Sequence, residues 1–148
     1  FEMLLLESFQ AGLSWECILN KREAFRKAFE GFDYRLIASY DEQKMESLRQ
    51  DASIIRNKLK IKAAVKNAQV FMDIQKEFGS FDQYIWGFTK GETIHENNLT
   101  SSPLSDKISK DLYRRGMRFI GTTIIYSYLQ AIGIIFSHED DCFLAHKQ

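Results

Sequence analysis

The sequence predicts an all-α protein that folds as a single compact helical domain, and three observations lead to this class. Apolar residues recur at intervals of three and four along most of the chain, the spacing that places side chains on one face of an α-helix. One proline and 8 glycines in 148 residues leave few turn signals, which disfavours a many-turned β fold. A content of 45% hydrophobic and 14% aromatic residues supplies the core that a domain of this length needs.

The residues up to position 49 predict four helices. A run of leucines opens an apolar helix that Gly12 ends, because glycine permits the backbone to turn there. Ser14 is expected to cap a second helix that continues to about Gly31, since a serine side chain at a helix start accepts a backbone N–H. Two short helices follow at 34–39 and 41–49, and Asp41 is expected to cap the second.

The middle of the chain predicts two helices joined by a tight turn. Residues 51–61 are typical of a helix, a turn around Asn57 and Lys58, and the start of a second helix. That second helix continues as a long one, because apolar residues recur at helical spacing from Ile61 to Met72.

The last third predicts a short helix at 81–88, a loop at 90–101 and a helix that begins at Ser102 and Pro103 and ends near Gly116. The segment 121–133 is ambiguous, because its β-branched run is also compatible with a strand. Its apolar residues fit one helical face and no partner strand is evident, so we predict a buried helix.

Composition limits the classes of protein without selecting a function. The 20 basic and 20 acidic side chains cancel, so net charge alone does not indicate a nucleic-acid partner. The 2 cysteines are far apart in sequence, which favours a reducing, cytoplasmic location over a disulfide framework. No apolar run has the length of a membrane span, and no signal peptide is evident. Because the chain opens inside a helix, we expect the domain at 1–148 to lack an N-terminal segment.

Three residues near the start are candidates for a binding pocket. Glu7 follows three leucines, Gln10 lies about one helical turn later, and Trp15 follows the predicted turn at Gly12 and Leu13. A carboxylate, an amide and an indole can together form a pocket for a flat heteroaromatic ring. The indole would stack on the ring, and the carboxylate and amide would form hydrogen bonds with its edge. The spacing alone leaves open the alternative that these are unrelated surface and core residues.

Positive charge is concentrated in two segments, each beside a predicted helix start. Five basic residues and no acidic one lie between positions 54 and 66. The second cluster precedes Gly121, Thr122 and Thr123, whose amides and hydroxyls are suited to a phosphate. The alternative is that these lysines and arginines only solvate exposed helix faces. The basic residues are Arg56, Lys58, Lys60, Lys62 and Lys66, and then Lys107, Lys110, Arg114, Arg115 and Arg118.

The tail contains a candidate pair of metal ligands. His138 and Cys142 are four residues apart, so on a helix both face one side, and imidazole with thiolate suits zinc. Zinc normally takes four ligands in a structural site, so the pair alone also fits an ordinary histidine and cysteine near a chain end.

Several segments together resemble one family, the bacterial 3-methyladenine DNA glycosylase I enzymes, a divergent branch of the helix-hairpin-helix glycosylases. The order and spacing of the matching segments are kept over essentially the whole chain. These segments are LESFQAGLSW at 6–15, KRE at 21–23, QDASIIRNKLKIKAAVKNA at 50–68, FIGTTIIYSYLQAIG at 119–133, and the pair His138 and Cys142.

The resemblance implies a monofunctional enzyme that flips 3-methyladenine out of alkylated double-stranded DNA and hydrolyses its N-glycosidic bond, releasing the free base. Glu7 matches the pocket glutamate and Trp15 the stacking tryptophan. Gln10 and Leu13 match a loop that fills the gap in the base stack. The hairpin residues Arg56, Asn57, Lys58 and Lys60, and the turn Gly121, Thr122 and Thr123, match backbone-contacting elements.

The chain departs from the family pattern in three places. Ser53 stands where the hairpin usually has glycine, and Ser8 and Phe9 replace a Gly-Gln pair, which is expected to add bulk near Glu7. The family's zinc site combines the tail pair with a Cys and a His from an N-terminal segment. That first pair is absent here, so the resemblance implies a structural zinc site that is incomplete in this chain.

Two further interpretations stay open at this point. The first is a glycosylase of the same fold with another damaged base as its substrate. The second is a non-catalytic DNA-binding relative that retains the hairpin without the chemistry. A helical bundle that only binds other proteins fits the paired basic clusters less well. The expected assembly is a monomer without membrane association.

Overall fold

The computed structural model describes residues 1–10, 13–97 and 99–136, and this part of the chain is mainly α-helical, as predicted. None of the described helices combines the length and apolarity that crossing a membrane requires. The helices are α1 Glu2–Gln10, α2 Trp15–Asn20, α3 Arg22–Ala28, α4 Tyr34–Ile37, α5 Glu42–Arg49, α6 Lys58–Phe78, α7 Phe81–Gly87, α8 Pro103–Arg115 and α9 Thr122–Ala131, with strands β1 Ile94–His95 and β2 Ile135–Phe136.

The caps predicted from the sequence are present. Ser14 accepts a hydrogen bond from the amide of Cys17 at 3.1 Å, and Asp41 accepts one from Lys44 at 2.8 Å. Ser102 and Ser105 form a reciprocal capping box ahead of Pro103 at the start of α8. These bonds satisfy amides that have no partner inside the helix, so local sequence determines where these helices begin.

The helix predicted from Ser14 to Gly31 is wrong in one respect, because it breaks at Lys21. The backbone there adopts φ −105° and ψ 5°, which separates α2 from α3. Arg22 and Arg26 of α3 then both reach Glu2 of α1, at 2.8 and 3.2 Å. Long-range ion pairing of this kind is not visible in helical periodicity.

Two other segments also differ from prediction. Residues 51–57 form a turn with no helix, so the hairpin consists of α5, this turn and α6. The segment 90–101, predicted as a loop, contains β1, which pairs in parallel with β2 through Ile94 and Ile135. A two-residue strand is too short to show an alternating pattern. The ambiguous segment at 121–133 is helical, as predicted, from Thr122 to Ala131.

Two hydrophobic clusters form the core, and the helices α1 and α6 contribute to both of them. Leu4 belongs to one cluster, together with residues of α7, α8 and α9. Leu5, Leu6 and Phe9 belong to the other, together with residues of α2 to α5. Glu7 therefore lies on a helix that is enclosed on both sides.

Candidate functional site

Glu7 is a buried carboxylate that faces α9. Its residue is 1% exposed, and Ser127 donates a hydrogen bond to Oε1 at 3.0 Å. The second oxygen, Oε2, is buried and has no hydrogen-bond partner among the described residues. A buried oxygen without a partner is costly, so Glu7 is equipped to accept a hydrogen bond from a ligand.

The environment of Glu7 also affects its protonation. Burial raises the pKa of the Glu7 carboxyl, and the hydrogen bond from Ser127 opposes part of that increase. Burial has this effect because it disfavours the charged form. A cationic ligand beside Glu7 would favour the charged form, since a nearby opposite charge stabilises a carboxylate.

The predicted pocket loop follows Glu7 directly. Gln10 is half-buried and its Nε2 donates to the carbonyl oxygen of Leu13 at 3.1 Å. Leu13 is 38% exposed, which agrees with its predicted place at the tip of a turn. Trp15 is the first residue of α2, and its side chain, like residues 11 and 12, lies outside the described part of the chain.

The prediction that Ser8 and Phe9 add bulk beside Glu7 is wrong, because both side chains are directed elsewhere. The hydroxyl of Ser8 donates to the carbonyl oxygen of Leu5 at 2.6 Å. Phe9 is fully buried against Phe25 and Phe29, with ring centroids at 4.9 and 5.9 Å. Helix geometry explains the difference, because residues two apart lie on different faces of a helix.

The hairpin presents Arg56, Asn57 and Lys58 at the surface. Asn57 caps α6 by accepting a hydrogen bond from the amide of Lys60 at 3.0 Å. Ser53, at the position where glycine was expected, is not among the residues with positive φ, so the serine causes no backbone strain. The turn is therefore compatible with a phosphate contact at its exposed residues.

Lys60 differs from the other predicted hairpin contacts, because its side chain is inside the protein. The residue is 7% exposed, and Nζ donates to the carbonyl oxygen of Phe9 at 2.9 Å. Burial lowers the pKa of the Lys60 ammonium. A phosphate contact, as predicted from the sequence, would require Lys60 to leave this position.

The second predicted contact, at Gly121, Thr122 and Thr123, begins α9. Gly121 and Thr123 are exposed, and the N-cap position Gly121 supplies no side-chain bond to the first amides of the helix. The Thr122 hydroxyl is already engaged with the hydroxyl of Ser105 at 2.6 Å. Amides without a cap are suited to an anion, whereas the Thr122 hydroxyl has a structural role.

Asn67 holds the turn that leads into α9. Its side chain, 2% exposed, accepts from the Arg118 amide at 2.9 Å and donates to the Arg118 carbonyl at 3.0 Å. Ser109 donates a hydrogen bond to the carbonyl oxygen of Ile120 at 2.7 Å. Phe119, between Arg118 and Ile120, has a left-handed φ of 58°. The turn is thus held in a strained conformation by neighbouring helices.

The second basic cluster is only partly free for a ligand. Arg115 pairs with Asp111 at 2.9 Å and with Glu77 at 2.8 Å, so its charge is already balanced. Arg118 donates to two carbonyls and stacks over the Tyr113 ring at 4.0 Å. Lys107 and Lys110 remain exposed and are the members of this cluster best placed for phosphates.

A surface depression connects the hairpin with the second turn. Two cavities of about 470 and 370 Å³ share Phe119 in their walls. The charged side chains that line them are all basic, and the exposed Leu59 contributes to the first cavity. The lining residues with positive charge are Lys62, Lys66, Arg118 and Lys110.

The predicted metal ligands cannot be compared with the structure, because His138 and Cys142 lie outside the described residues. Within 1–10, 13–97 and 99–136 there is no group of three or more potential ligands. The zinc expected from the resemblance therefore stays a prediction.

The sequence analysis missed Ser127, Asn67 and Phe119. Asn67 is a polar residue on the apolar face of a long helix, and Ser127 interrupts a buried helix in the same way. A polar residue on an apolar helix face can be recognised in the sequence, and it indicates a buried hydrogen bond because buried polar groups rarely lack a partner. Their partners, Arg118 and Glu7, come from distant parts of the chain and are not visible in the sequence.

Comparison with solved structures identifies the class of protein. A crystal structure of 3-methyladenine DNA glycosylase I superposes with a TM-score of 0.91 at 40% identity, over 96% of this chain and 81% of that one. A variant of 3-methyladenine DNA glycosylase I in complex with 3-methyladenine gives 0.91 at 32% identity, over 96% and 80%. The fold is thus that of the 3-methyladenine DNA glycosylase I structures, an all-helical class of DNA glycosylase.

Sequence comparison then identifies the particular family. The model of the methyladenine glycosylase family matches residues 1–146. The DNA-3-methyladenine glycosylase 1 of Escherichia coli (strain K12) is 41% identical over 149 residues, covering 96% of this chain and 79% of that relative. The chain belongs to the methyladenine glycosylase family, which confirms the resemblance stated from the sequence.

Proposed function

We propose that this chain is a DNA glycosylase that releases 3-methyladenine from alkylated double-stranded DNA by hydrolysis of the N-glycosidic bond. The observation that carries the proposal is Glu7, a buried carboxylate with one oxygen that lacks a hydrogen-bond partner among the described residues, in a chain of this family. Relatives with the same fold bear the name of this activity, and one is solved with 3-methyladenine.

The chemistry needs little more than selective binding of a base that is ready to leave. Methylation at N3 makes the adenine cationic, so the glycosidic electron pair moves onto the ring as the bond breaks. Water then adds to the sugar carbon and releases a proton to solvent. As the bond breaks, the positive charge passes from the base to the sugar and the base leaves neutral; a carboxylate that binds the cationic base and offsets the charge developing on the sugar stabilises this transition state.

Access to the bond requires the damaged nucleotide to leave the base stack, so we propose that the enzyme flips it toward Glu7. We propose that Gln10 and Leu13, which follow Glu7 in the chain, occupy the gap in the stack. No lysine nucleophile is assigned next to Glu7, because Lys60 is bound to the Phe9 carbonyl. We therefore propose release of the base without strand cleavage.

The first experiment is a base-release assay on methylated duplex DNA, with the free base separated by chromatography and the strand examined on a denaturing gel. Release of 3-methyladenine from intact strands would support the proposal. Duplex binding without release would instead indicate the non-catalytic relative, and release of a different methylated base would indicate another substrate. Glu92→Gln, which replaces an exposed glutamate outside the proposed site, is the control for effects of substitution and purification.

Several narrower properties belong to the same proposal. We propose that the protein acts as a monomer on DNA in the bacterial cytoplasm, and light scattering of the purified protein checks its mass. Zinc bound through His138 and Cys142 stays a prediction from the resemblance. Metal analysis of purified protein tests it, because one zinc per chain would agree and a metal-free active protein would contradict it.

A further inference from the structure

We propose that Lys60 is a positioning residue, which fixes the end of α1 to the DNA-binding hairpin and so keeps Glu7 and its loop in register with bound DNA. This inference rests on the proposed function and adds a residue whose role is mechanical coupling. It replaces the phosphate contact that the position of Lys60 in a basic hairpin predicts.

The contacts of Lys60 join three separate segments. Its own backbone lies in the first turn of α6, where Asn57 of the hairpin accepts its amide hydrogen. Its ammonium donates to Phe9 at the last turn of α1, 51 residues away in sequence. The same ammonium lies 5.9 Å from the centre of the Phe119 ring, in the turn that leads into α9.

The far end of this contact is rigid. Phe9 is fully buried, and the rings of Phe25 and Phe29 pack on its side chain. A lysine that binds a carbonyl in the last helical turn also offsets the negative end of the helix dipole. The contact therefore stabilises the last turn of α1 at Phe9, one residue before the helix ends at Gln10 and two residues after Glu7.

Burial makes a purely solvating role impossible for this lysine. Lys58, two residues earlier, is exposed, as are Lys62 and Lys66 further along α6. A charged group held inside a protein is costly unless its bonds are needed there, whereas the neighbouring lysines avoid that cost. The exposed lysines of the hairpin are therefore available to DNA, whereas Lys60 forms an internal contact between α6 and α1, which we call the tether.

The coupling has a direct consequence for the reaction. Phosphates bound at the exposed hairpin locate the DNA relative to α6, and Lys60 locates α1 relative to α6. Without the tether, DNA would still bind the hairpin, but Glu7 and Leu13 would be less well aligned with the damaged nucleotide. A small misplacement of a catalytic group is enough to slow a reaction by about 10- to 100-fold.

The first arm of the test uses hydrogen exchange and needs no activity. In Lys60→Met, which retains length but removes the donor, amides in the peptide containing Phe9 and Gln10 should exchange about 10-fold faster, as local opening at the end of α1 becomes easier. Lys58→Met removes a charge two residues away and should leave this peptide unchanged. Ile74→Val, at the other end of α6, controls for general loss of stability.

The second arm separates binding from chemistry. Lys60→Met should keep the affinity for undamaged duplex and its salt dependence, while single-turnover release of 3-methyladenine falls about 10- to 100-fold. Lys58→Met should do the reverse, with weaker binding and a salt slope shallower by about one. Ile74→Val should leave both the affinity and the rate unchanged.

Each contrary outcome overturns the proposal in a recognisable way. If Lys60→Met weakens duplex binding and its salt slope as Lys58→Met does, Lys60 is a phosphate contact. Unchanged exchange at the end of α1, or faster exchange in every peptide, would rule out a local tether. If the parent protein releases no base, the proposed function fails, and the exchange comparison still decides whether Lys60 holds α1.

Discussion

At the scale of single residues, Glu7 shows how function and stability oppose each other. Its carboxylate is buried with Ser127 as its hydrogen-bond donor, and its second oxygen has no hydrogen-bond partner within the described part of the chain. Such a group weakens the folded state, and a ligand that binds it recovers the loss. The sequence predicted Glu7 because an acid after three leucines is unusual, but Ser127 is 120 residues away and only folding brings it close.

Replacing Glu7 by glutamine should impair excision more than binding. The variant retains size and the contact with Ser127 but loses the negative charge, so 3-methyladenine release should fall by about 10- to 100-fold, equivalent to one charged hydrogen bond. Affinity for undamaged duplex should stay the same, since Glu7 is buried away from the hairpin. Single-turnover assays and fluorescence anisotropy measure the two quantities, and an unchanged excision rate would remove Glu7 from the mechanism.

The pH dependence of stability should reveal the same carboxylate. The folded-state pKa of Glu7 is raised above its ordinary value of 4.5, so the charged form costs stability at neutral pH. The cost disappears as pH falls through the raised pKa, because the protonated form then dominates. Glu7→Gln should therefore unfold at a higher temperature than the parent protein at pH 7.5, by about 2–4 °C per kcal/mol.

Calorimetry over a pH series checks this prediction. The difference between Glu7→Gln and the parent protein should shrink toward acidic pH, and excision by the parent should decline over the same range. Glu92→Gln, at an exposed position, should follow the parent protein at every pH. A parent protein that is more stable than Glu7→Gln at pH 7.5, and that loses this advantage on acidification, would mean that Glu7 is stabilised as a carboxylate in the folded state.

At the scale of elements, α6 organises the site. Its first turn carries the exposed hairpin cation Lys58 and the internal Lys60, and one face carries Asn67, which holds the turn before α9. The helix itself was predicted from its periodicity. The roles of its polar residues depend on α1 and on the α8–α9 turn, which periodicity does not place in space.

Loss of Lys58 should weaken DNA binding through charge alone. In Lys58→Ala the affinity should fall similarly for duplexes of different sequence, and the slope of log K against log salt should become shallower by about one. Lys76→Ala, near the far end of α6, should leave the slope unchanged. Titrations at several salt concentrations provide the measurement. A loss limited to one sequence would indicate base reading in place of a phosphate contact.

Loss of Asn67 should destabilise the protein and disturb the turn that leads into α9. Asn67→Ala leaves the Arg118 amide and carbonyl without their partner, which costs about 1–3 kcal/mol. Gln69→Ala, two residues along, removes one exposed hydrogen bond to Ala38 and should cost less than about 1 kcal/mol. Denaturant titration measures the free energy of unfolding of both variants. Equal losses would show that the two hydrogen bonds of Asn67 stabilise the protein no more than the one exposed bond of Gln69.

At the scale of the whole molecule, two hydrophobic clusters are joined by shared helices. Because α1 and α6 contribute buried residues to both, we expect that neither cluster retains its packing when the other unfolds. The ion pairs from Glu2 to Arg22 and Arg26 add a further connection between α1 and α3. Glu7 and Lys60, both on the shared helices, therefore depend on the integrity of the entire fold.

Unfolding should accordingly be a single cooperative transition. Trp86 packs against one cluster, so in Trp15→Phe its fluorescence reports on that cluster, while far-ultraviolet circular dichroism reports on all helices. The two midpoints in urea should coincide, as expected for a two-state domain. Two separate transitions would show that the clusters behave as independent units and would contradict the single domain predicted for 1–148.

The sequence predicts the helical class and most helix starts through periodicity and caps, which act over short distances along the chain, and it predicts the family through motifs such as the segment 6–15. It also identified Glu7, Leu13 and the exposed hairpin lysine as candidates for the site. Tertiary structure alone decided the break at Lys21, the inward direction of Lys60 and the partners of Glu7 and Asn67. These depend on contacts between residues far apart in sequence, whose free energies exist only once the helices have packed.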